Sequence, residues 1–344
     1  MIMSEFQPGR KPRRLKWRWI GAVALAAVLF VVGYAWYVFQ PVAIHSTRYQ
    51  YLSVTPGQSA DNIGSMLQKR GIIRSSLAFR VVSRLDHLSR TLKSGVYRLS
   101  PSESLTRILQ VMKDGNVVVI KVAIPEGFTV SQITARLVAD HIGSMAQYRR
   151  LEARPLPGMP NPAQGVRDPL EGFLYPATYS FPYGVTPRQA LDTMWKTFQS
   201  KTVGWYKKSH ATLSYTQWIT LASIVQQEDQ VPQDAAKIAA VFLNRLKAHM
   251  PFQSDATVRY ALHRKAASGL TYSDLQVSSP YNTYRHHGFP PGPITNPGLV
   301  ALKAALHPAP VPYLYFLGLR NGRDLFATTY QQHLANIAYA NSHP

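Results

Sequence analysis

Glu228 closes the stretch SYTQWITLASIVQQED, residues 214–229, and its placement is the feature of the chain that most invites chemistry. Ser214 and Gln217 have the S-x-x-Q spacing of a capping box, which marks a helix start. Leu221, Ile224 and Val225 then form the apolar stripe of an amphipathic helix, and Glu228 lies seven, four and three residues beyond them. Its carboxyl therefore continues the apolar stripe rather than the polar face. It also sits at the C-terminal end of the predicted helix, where the macrodipole disfavours negative charge, with Asp229 beside it. Burial, dipole and a like-charged neighbour all push its pKa upward, as a general acid requires. The competing reading is a helix-end carboxylate that turns to solvent and pairs with Arg245.

A carboxylic acid that cuts a glycosidic bond is ordinarily one of a pair. The nearest second candidates are Asp229, Asp255 and Asp274. Asp229 is one step along the helix and points about 100° away. Asp255 is either a second acid or a buried hydrogen-bonding partner. Asn244, Gln253, Tyr281, Asn282, Thr283 and Tyr284 add the aromatic faces and neutral hydrogen-bonding groups that sugar sites use. Other chemistries lack their signatures. There is no cysteine, hence no disulfide framework, thiolate metal site or cysteine nucleophile. No Gly-rich phosphate loop, G-x-S-x-G or H-E-x-x-H is present. His286 and His287 sit in a proline-rich segment without a third ligand at helical spacing, and read as a solvated or substrate-facing pair rather than a metal site.

Ile20 to Phe39 is a 20-residue run without a charge. As a helix it spans about 30 Å, the thickness of a bilayer core. Six basic residues precede it and none follows until Arg48, which predicts a cytoplasmic N-terminus and an outward-facing remainder. The run is too long for a signal-peptide core and its end, AWYVFQP, lacks a small-residue cleavage site, so it reads as an uncleaved single-pass anchor. The first 18 residues carry a net +5 and leave +16 of the total +21 to the rest. So basic an ectodomain fits an acidic polymer or an anionic membrane surface. Nucleic acid fails on location and on the dispersal of the charges.

The expected fold is α+β. Residues 48–100 read as strand, helix, helix and strand: Tyr49 to Val54, Ser59 to Arg70, Ser75 to Leu85 and Gly95 to Leu99. That order, opened by V-x-P-G-Q, resembles the LysM fold, a small glycan-binding module; a generic α+β spacer is the alternative. Helices are then expected at 102–114, 129–139, 186–198, 233–247, 299–306 and 330–339, with a short one ending at Leu262. Val117 to Ile124 and Leu170 to Phe181 read as strands, and a hairpin turns at Asn321-Gly322. Residues 141–168 read as a variable loop. Residues 278–298, with five prolines and three glycines, read as an ordered surface loop.

Several motifs in order carry a close resemblance to the MltG/YceG-like family of membrane-anchored endolytic lytic transglycosylases of peptidoglycan. They are LASIVQQED (221–229), VFLNRL (241–246), QSDATV (253–258), SPYNTY (279–284), GFPPGPITNPG (288–298) and YLYF (313–316). The resemblance implies a basic cytoplasmic tail (1–18), an inner-membrane anchor (19–40), a LysM-like unit (48–119), a connecting α+β region (120–200) and a periplasmic catalytic domain (201–344). It makes Glu228 the catalytic acid, with Asn244, Gln253, Asp255, Tyr281, Asn282, Thr283 and Tyr284 against the glycan. No metal or cofactor is implied; peptidoglycan strands are the partner, with cell-wall synthetic enzymes as further ones. The implied reaction cuts between N-acetylmuramic acid and N-acetylglucosamine. Glu228 protonates the glycosidic oxygen, then takes the proton of the muramic 6-hydroxyl, which closes a 1,6-anhydro end. The chain departs from the family at Gln226 and Ala177, where the pattern has Glu and Asp, and at Gln332-His333-Leu334, where it tends to E-H-N. A hydrolase using Asp255 as base, and a non-catalytic glycan-binding scaffold, stay open beside this reading.

Overall fold

The computed structural model describes residues 14–85, 93–209, 212–228, 232–264, 269–319 and 322–343. The basic residues up to Arg13, Asp229 and Asn321 lie outside them. The chain divides into two compact units, Met1–Val119 and Ile120–Pro344, and the fold is α+β.

In the first unit, α1 (Arg14–Phe39) contains the one helical stretch among the described residues, Trp19–Phe39, long and apolar enough to cross a membrane. Its end is tied down. Phe39 packs on the unit's core, and Arg74 donates to the Pro41 carbonyl at 2.6 Å and to the Tyr37 hydroxyl at 2.7 Å. Strands β1 (Gln50–Val54) and β2 (Gly95–Leu99) pair antiparallel, from Gln50 opposite Leu99 to Val54 opposite Gly95. Between them in sequence lie α2 (Ala60–Lys69) and α3 (Ser76–Leu85), in the expected βααβ order. The two-residue period of the strands buries Leu52, Val54, Tyr97 and Leu99 on one face. Ile63 and Leu67 of α2, Phe79 of α3, and Ile108 and Met112 of α4 (Leu105–Asp114) complete that core.

The second unit opens with β3 (Val119–Ala123), α5 (Val130–Ala139), α6 (Met145–Glu152), β4 (Thr178–Pro182) and α7 (Pro187–Ser209). There follow α8 (Tyr215–Glu228), α9 (Ala235–Lys247), α10 (Asp255–Ala261) and α11 (Leu299–Leu306). The hairpin β5 (Tyr315–Gly318) with β6 (Asp324–Ala327), and α12 (Tyr330–Ser342), close it. Three expectations need correction. Helix α6 forms inside the segment read as a loop, started by a capping box between Ser144 and Gln147. The strand expected over 170–181 is confined to β4. Residues before it coil because Gly172 adopts φ +86°, where an added Cβ would lie 2.5 Å from Pro293. The proline-rich loop is superficial only in part: Arg285 to His287 are exposed, whereas Gly292 to Gly298 are buried throughout.

Helix α8 is a central helix rather than an amphipathic surface one, for Trp218 to Val225 are buried without exception. An apolar stripe is only what a sequence displays; here α9 and α11 pack on α8 from other sides. Its polar residues are satisfied locally. Thr220 donates to the Thr216 carbonyl at 2.8 Å. Ser223 donates to the Thr220 carbonyl and accepts the N–H of Ile294, which pins the proline-rich loop to the helix.

Asn296, fully buried, ties that loop to two others. Its Nδ2 donates to the Phe128 carbonyl at 2.9 Å and to Glu171 Oε1 at 3.0 Å, and its Oδ1 accepts the N–H of Leu174 at 2.8 Å. Asn296→Ala leaves that buried N–H unpaired and is expected to cost about 3 kcal/mol. The check is a lower urea midpoint in the tryptophan fluorescence of residues 41–344, whose tryptophans, Trp195, Trp205 and Trp218, all belong to the second unit.

Candidate active site

Glu228 is the last residue of α8, half-buried, and its carboxyl meets the start of α10. The hydroxyl of Ser254, the residue that precedes α10, donates to Glu228 Oε1 at 2.6 Å, and the N–H of Ala256 donates to the same carboxyl. Ser254 occupies a capping position, yet its hydroxyl makes no cap bond to its own helix. The carboxyl thus lies between two helix ends of opposite effect, the C-terminus of α8 and the N-terminus of α10. Desolvation dominates and raises its pKa; Ser254, the nearby Arg259 and the Ala256 N–H oppose the shift, and Asp255 adds to it. The pairing with Arg245 does not form. That guanidinium, itself buried, donates to the carbonyls of Leu314 and Phe252 at 2.7 and 2.6 Å.

A second polar pair stands beside the first. The Tyr284 hydroxyl donates to Asp255 Oδ1 at 2.7 Å, and Arg259 Nη1 lies 3.7 Å from Asp255 Oδ2. Burial, first, and the neighbouring carboxylates Asp255 and Glu228 raise the Tyr284 pKa, so the phenol stays a donor. Gln253 is exposed next to Ser254 and adopts φ +51°, a left-handed conformation that costs a non-glycine residue free energy.

The remaining candidates act inside the fold. Asn244 donates to the carbonyls of Val311 and Tyr313 at 2.8 and 3.0 Å. Asn282 donates to Leu275 and Val277, both at 2.9 Å, and accepts the N–H of Tyr284. Thr283 accepts the N–H of Ser254 at 3.1 Å, so it holds the residue that holds Glu228. Buried Tyr281 packs on Tyr260, ring centroids 4.9 Å apart. Asp274 stands apart, bound by Thr271 and paired with Arg264 at 2.7 Å. His287 lies 3.1 Å from the His249 carbonyl.

Ser254 and Arg259 are the functional neighbours that spacing did not single out. Ser254 stands between Gln253 and Asp255, which it did. Gln226 accepts the Gly298 N–H at the start of α11 at 2.8 Å, a bond that requires an acceptor but no charge. Ala177 contributes its carbonyl, which accepts the N–H of Ile124 at 3.0 Å. A cavity of about 740 Å³ opens beside this end of α8; its wall includes Gln227, Ala256 and Arg259, the neighbours of Glu228, but not Glu228 itself. A half-buried acid with a raised pKa, two donors on its carboxyl and an open cavity nearby can protonate a leaving oxygen and then hold the resulting negative charge.

Comparison with known proteins agrees with the motifs. The pattern of the YceG-like family matches residues 52–339. A Bacillus subtilis protein named endolytic murein transglycosylase is 32% identical over 314 residues, which cover 86% of each chain. A protein of the same name from Streptococcus pneumoniae is 28% identical over 93% of this chain and 64% of its own. A crystal structure of a yceG-like protein from Listeria monocytogenes superposes with a TM-score of 0.55 at 32% identity, covering 84% of this chain and 99% of that one. The chain therefore belongs to the YceG-like family.

Proposed function

We propose that this chain is an endolytic murein transglycosylase that cuts the β-1,4 bond between N-acetylmuramic acid and N-acetylglucosamine and leaves 1,6-anhydro ends. The observation that carries the reading is Glu228, a carboxyl of raised pKa held by Ser254 and the Ala256 N–H beside an open cavity. Desolvation favours the neutral acid that protonates the glycosidic oxygen. The two donors and Arg259 stabilise the carboxylate left behind, which then takes the proton of the muramic 6-hydroxyl. Attack of that oxygen on C1 closes the anhydro ring, so the nucleophile belongs to the substrate. Asp255 is engaged by Tyr284 and faced by Arg259, which suits a group that positions the sugar better than a free base. Gln253 and Tyr284 are the other sugar contacts in this reading.

The apolar stretch of α1 anchors the chain in the inner membrane, with the basic tail cytoplasmic and the rest periplasmic. The βααβ unit is the LysM-like glycan-binding module, residues 201–344 form the catalytic domain, and residues 120–200 connect the two. Such an anchor confines cutting to strands near the membrane, where cell-wall synthetic enzymes are the natural partners.

Muropeptide mass spectrometry tests the reading. The native chain is expected to release anhydro-muramyl ends, and Glu228→Gln to release them at least about 100-fold more slowly. Reducing ends would point to hydrolysis with Asp255 as base, and equal cutting by both forms would remove Glu228 from the mechanism.

The raised pKa also has a stability consequence. Folding takes up a proton at Glu228 between the ordinary Glu range and the folded value, so stability falls as pH rises through that window. Gln keeps an acceptor for Ser254 without the charge. Glu228→Gln is expected to melt higher than the native chain at about pH 8 and to converge with it below about pH 4, where both states are protonated.

A further inference from the structure

The cavity beside Glu228 is lined by three arginines, Arg167, Arg259 and Arg264. Two of them are committed. Arg167 donates to the Tyr260 carbonyl and stands over the Tyr260 ring at 5.0 Å, and Arg264 pairs with Asp274 at 2.7 Å. Arg259 is not. Its Nη1 is 3.7 Å from Asp255, beyond hydrogen-bond distance, and Tyr284 already donates to that carboxylate. Its Nε is buried and has no acceptor among the described residues. A guanidinium short of acceptors is free to take a ligand's anionic oxygen at the part of its side chain, about 18% exposed, that reaches the cavity.

The wall also holds three carboxyls, Glu126, Asp168 and Glu171, and the last two are shifted toward the neutral form. Burial first, and Glu152 next among the raising influences, push Asp168 up to about 7, while burial and Asp168 hold Glu171 well above the usual carboxylate range. The cavity therefore presents a fork-shaped cation within electrostatic reach of the proposed catalytic acid. A glycan backbone of N-acetylated sugars offers that cation no charge. The peptide stems on alternate sugars do.

We infer that this cavity receives the peptide stem of the muramic residue at the cleaved bond, with Arg259 donating to a stem carboxylate. The inference rests on peptidoglycan as the substrate. It makes Arg259 a specificity residue that selects strands with acidic stems over strands whose stems are amidated, and that seats the muramic sugar in register with Glu228. A planar guanidinium matches a carboxylate with two parallel N–H donors, which an ammonium cannot reproduce.

The test is binding by the full chain carrying Glu228→Gln, which removes turnover and leaves Asp255 as the carboxylate nearest Arg259. The probes are glycan strands of equal length polymerised from precursors with free-carboxylate or amidated stems. Acidic strands are expected to bind with a Kd about tenfold lower, the worth of one charge-assisted hydrogen bond. Adding Arg259→Gln is expected to abolish the preference. Equal affinity for both strands, or a preference that survives the loss of Arg259, would overturn the inference. If Arg259→Gln does not fold, Arg259→Lys keeps the charge without the fork; its preference is expected to fall about threefold, and an unchanged preference overturns the paired geometry. Cleavage by the native chain, run in parallel, judges the proposed activity separately. Uncut strands together with an acid preference that Arg259 controls would count against the activity and for the subsite.

Discussion

A carboxyl at the end of a buried helix has to find hydrogen-bond donors or stay neutral, and much of the second unit answers to that constraint. Helix α8 is enclosed from Trp218 to Val225, so Glu228 emerges from the protein core rather than from a loop. Ser254 and the Ala256 N–H meet its carboxyl. Ser254 is in turn held by Thr283, and the segment carrying Thr283 is folded around Asn282. A chain of buried polar contacts thus ends on one oxygen atom. Such a network positions an acid well only when every member is satisfied, which is why residues far from the cavity matter to it.

The same logic explains how an irregular, proline-rich segment can be buried. Its backbone groups cannot pair in a sheet, and proline supplies no N–H. Ser223 and Gln226 supply missing partners from side chains, at Ile294 and Gly298, and the backbone of Asn296 pairs with that of Gly127 and Phe128. The position where the family pattern has Glu and this chain has Gln is one of these. Its visible task is to accept an N–H, and an amide oxygen does so without adding a third negative group near Glu228 and Asp255.

Local signals were legible in the sequence where the physics is local. The strand Gly95–Leu99 and helix Leu299–Leu306 have the expected bounds, and the Ser214–Gln217 capping box starts α8 as its spacing implies. Long-range facts were not. Periodicity marked one apolar stripe on α8, because residues such as Thr220 and Ser223 look polar in a sequence even when they bond back to their own helix. Asn244, Asn282 and Thr283 have the residue types of a sugar site, but an asparagine that stitches a loop is indistinguishable by type from one that binds a ligand. Helix α6 has only eight residues, too few for a stripe to outweigh the prolines after it. Ser254 and Arg259 gain their meaning from α10 docking against the end of α8, and no spacing within either segment encodes that.

The central claim is that one half-buried carboxyl changes protonation state at the site, and its titration can be watched. The infrared C=O band of protonated Glu228, identified as the band missing from Glu228→Gln, should disappear with rising pH only above the ordinary Glu range. In Ser254→Ala, which loses the hydroxyl donor to the carboxylate, its midpoint should lie higher still. A band that vanishes within the ordinary range, or a midpoint that ignores Ser254, would contradict the account.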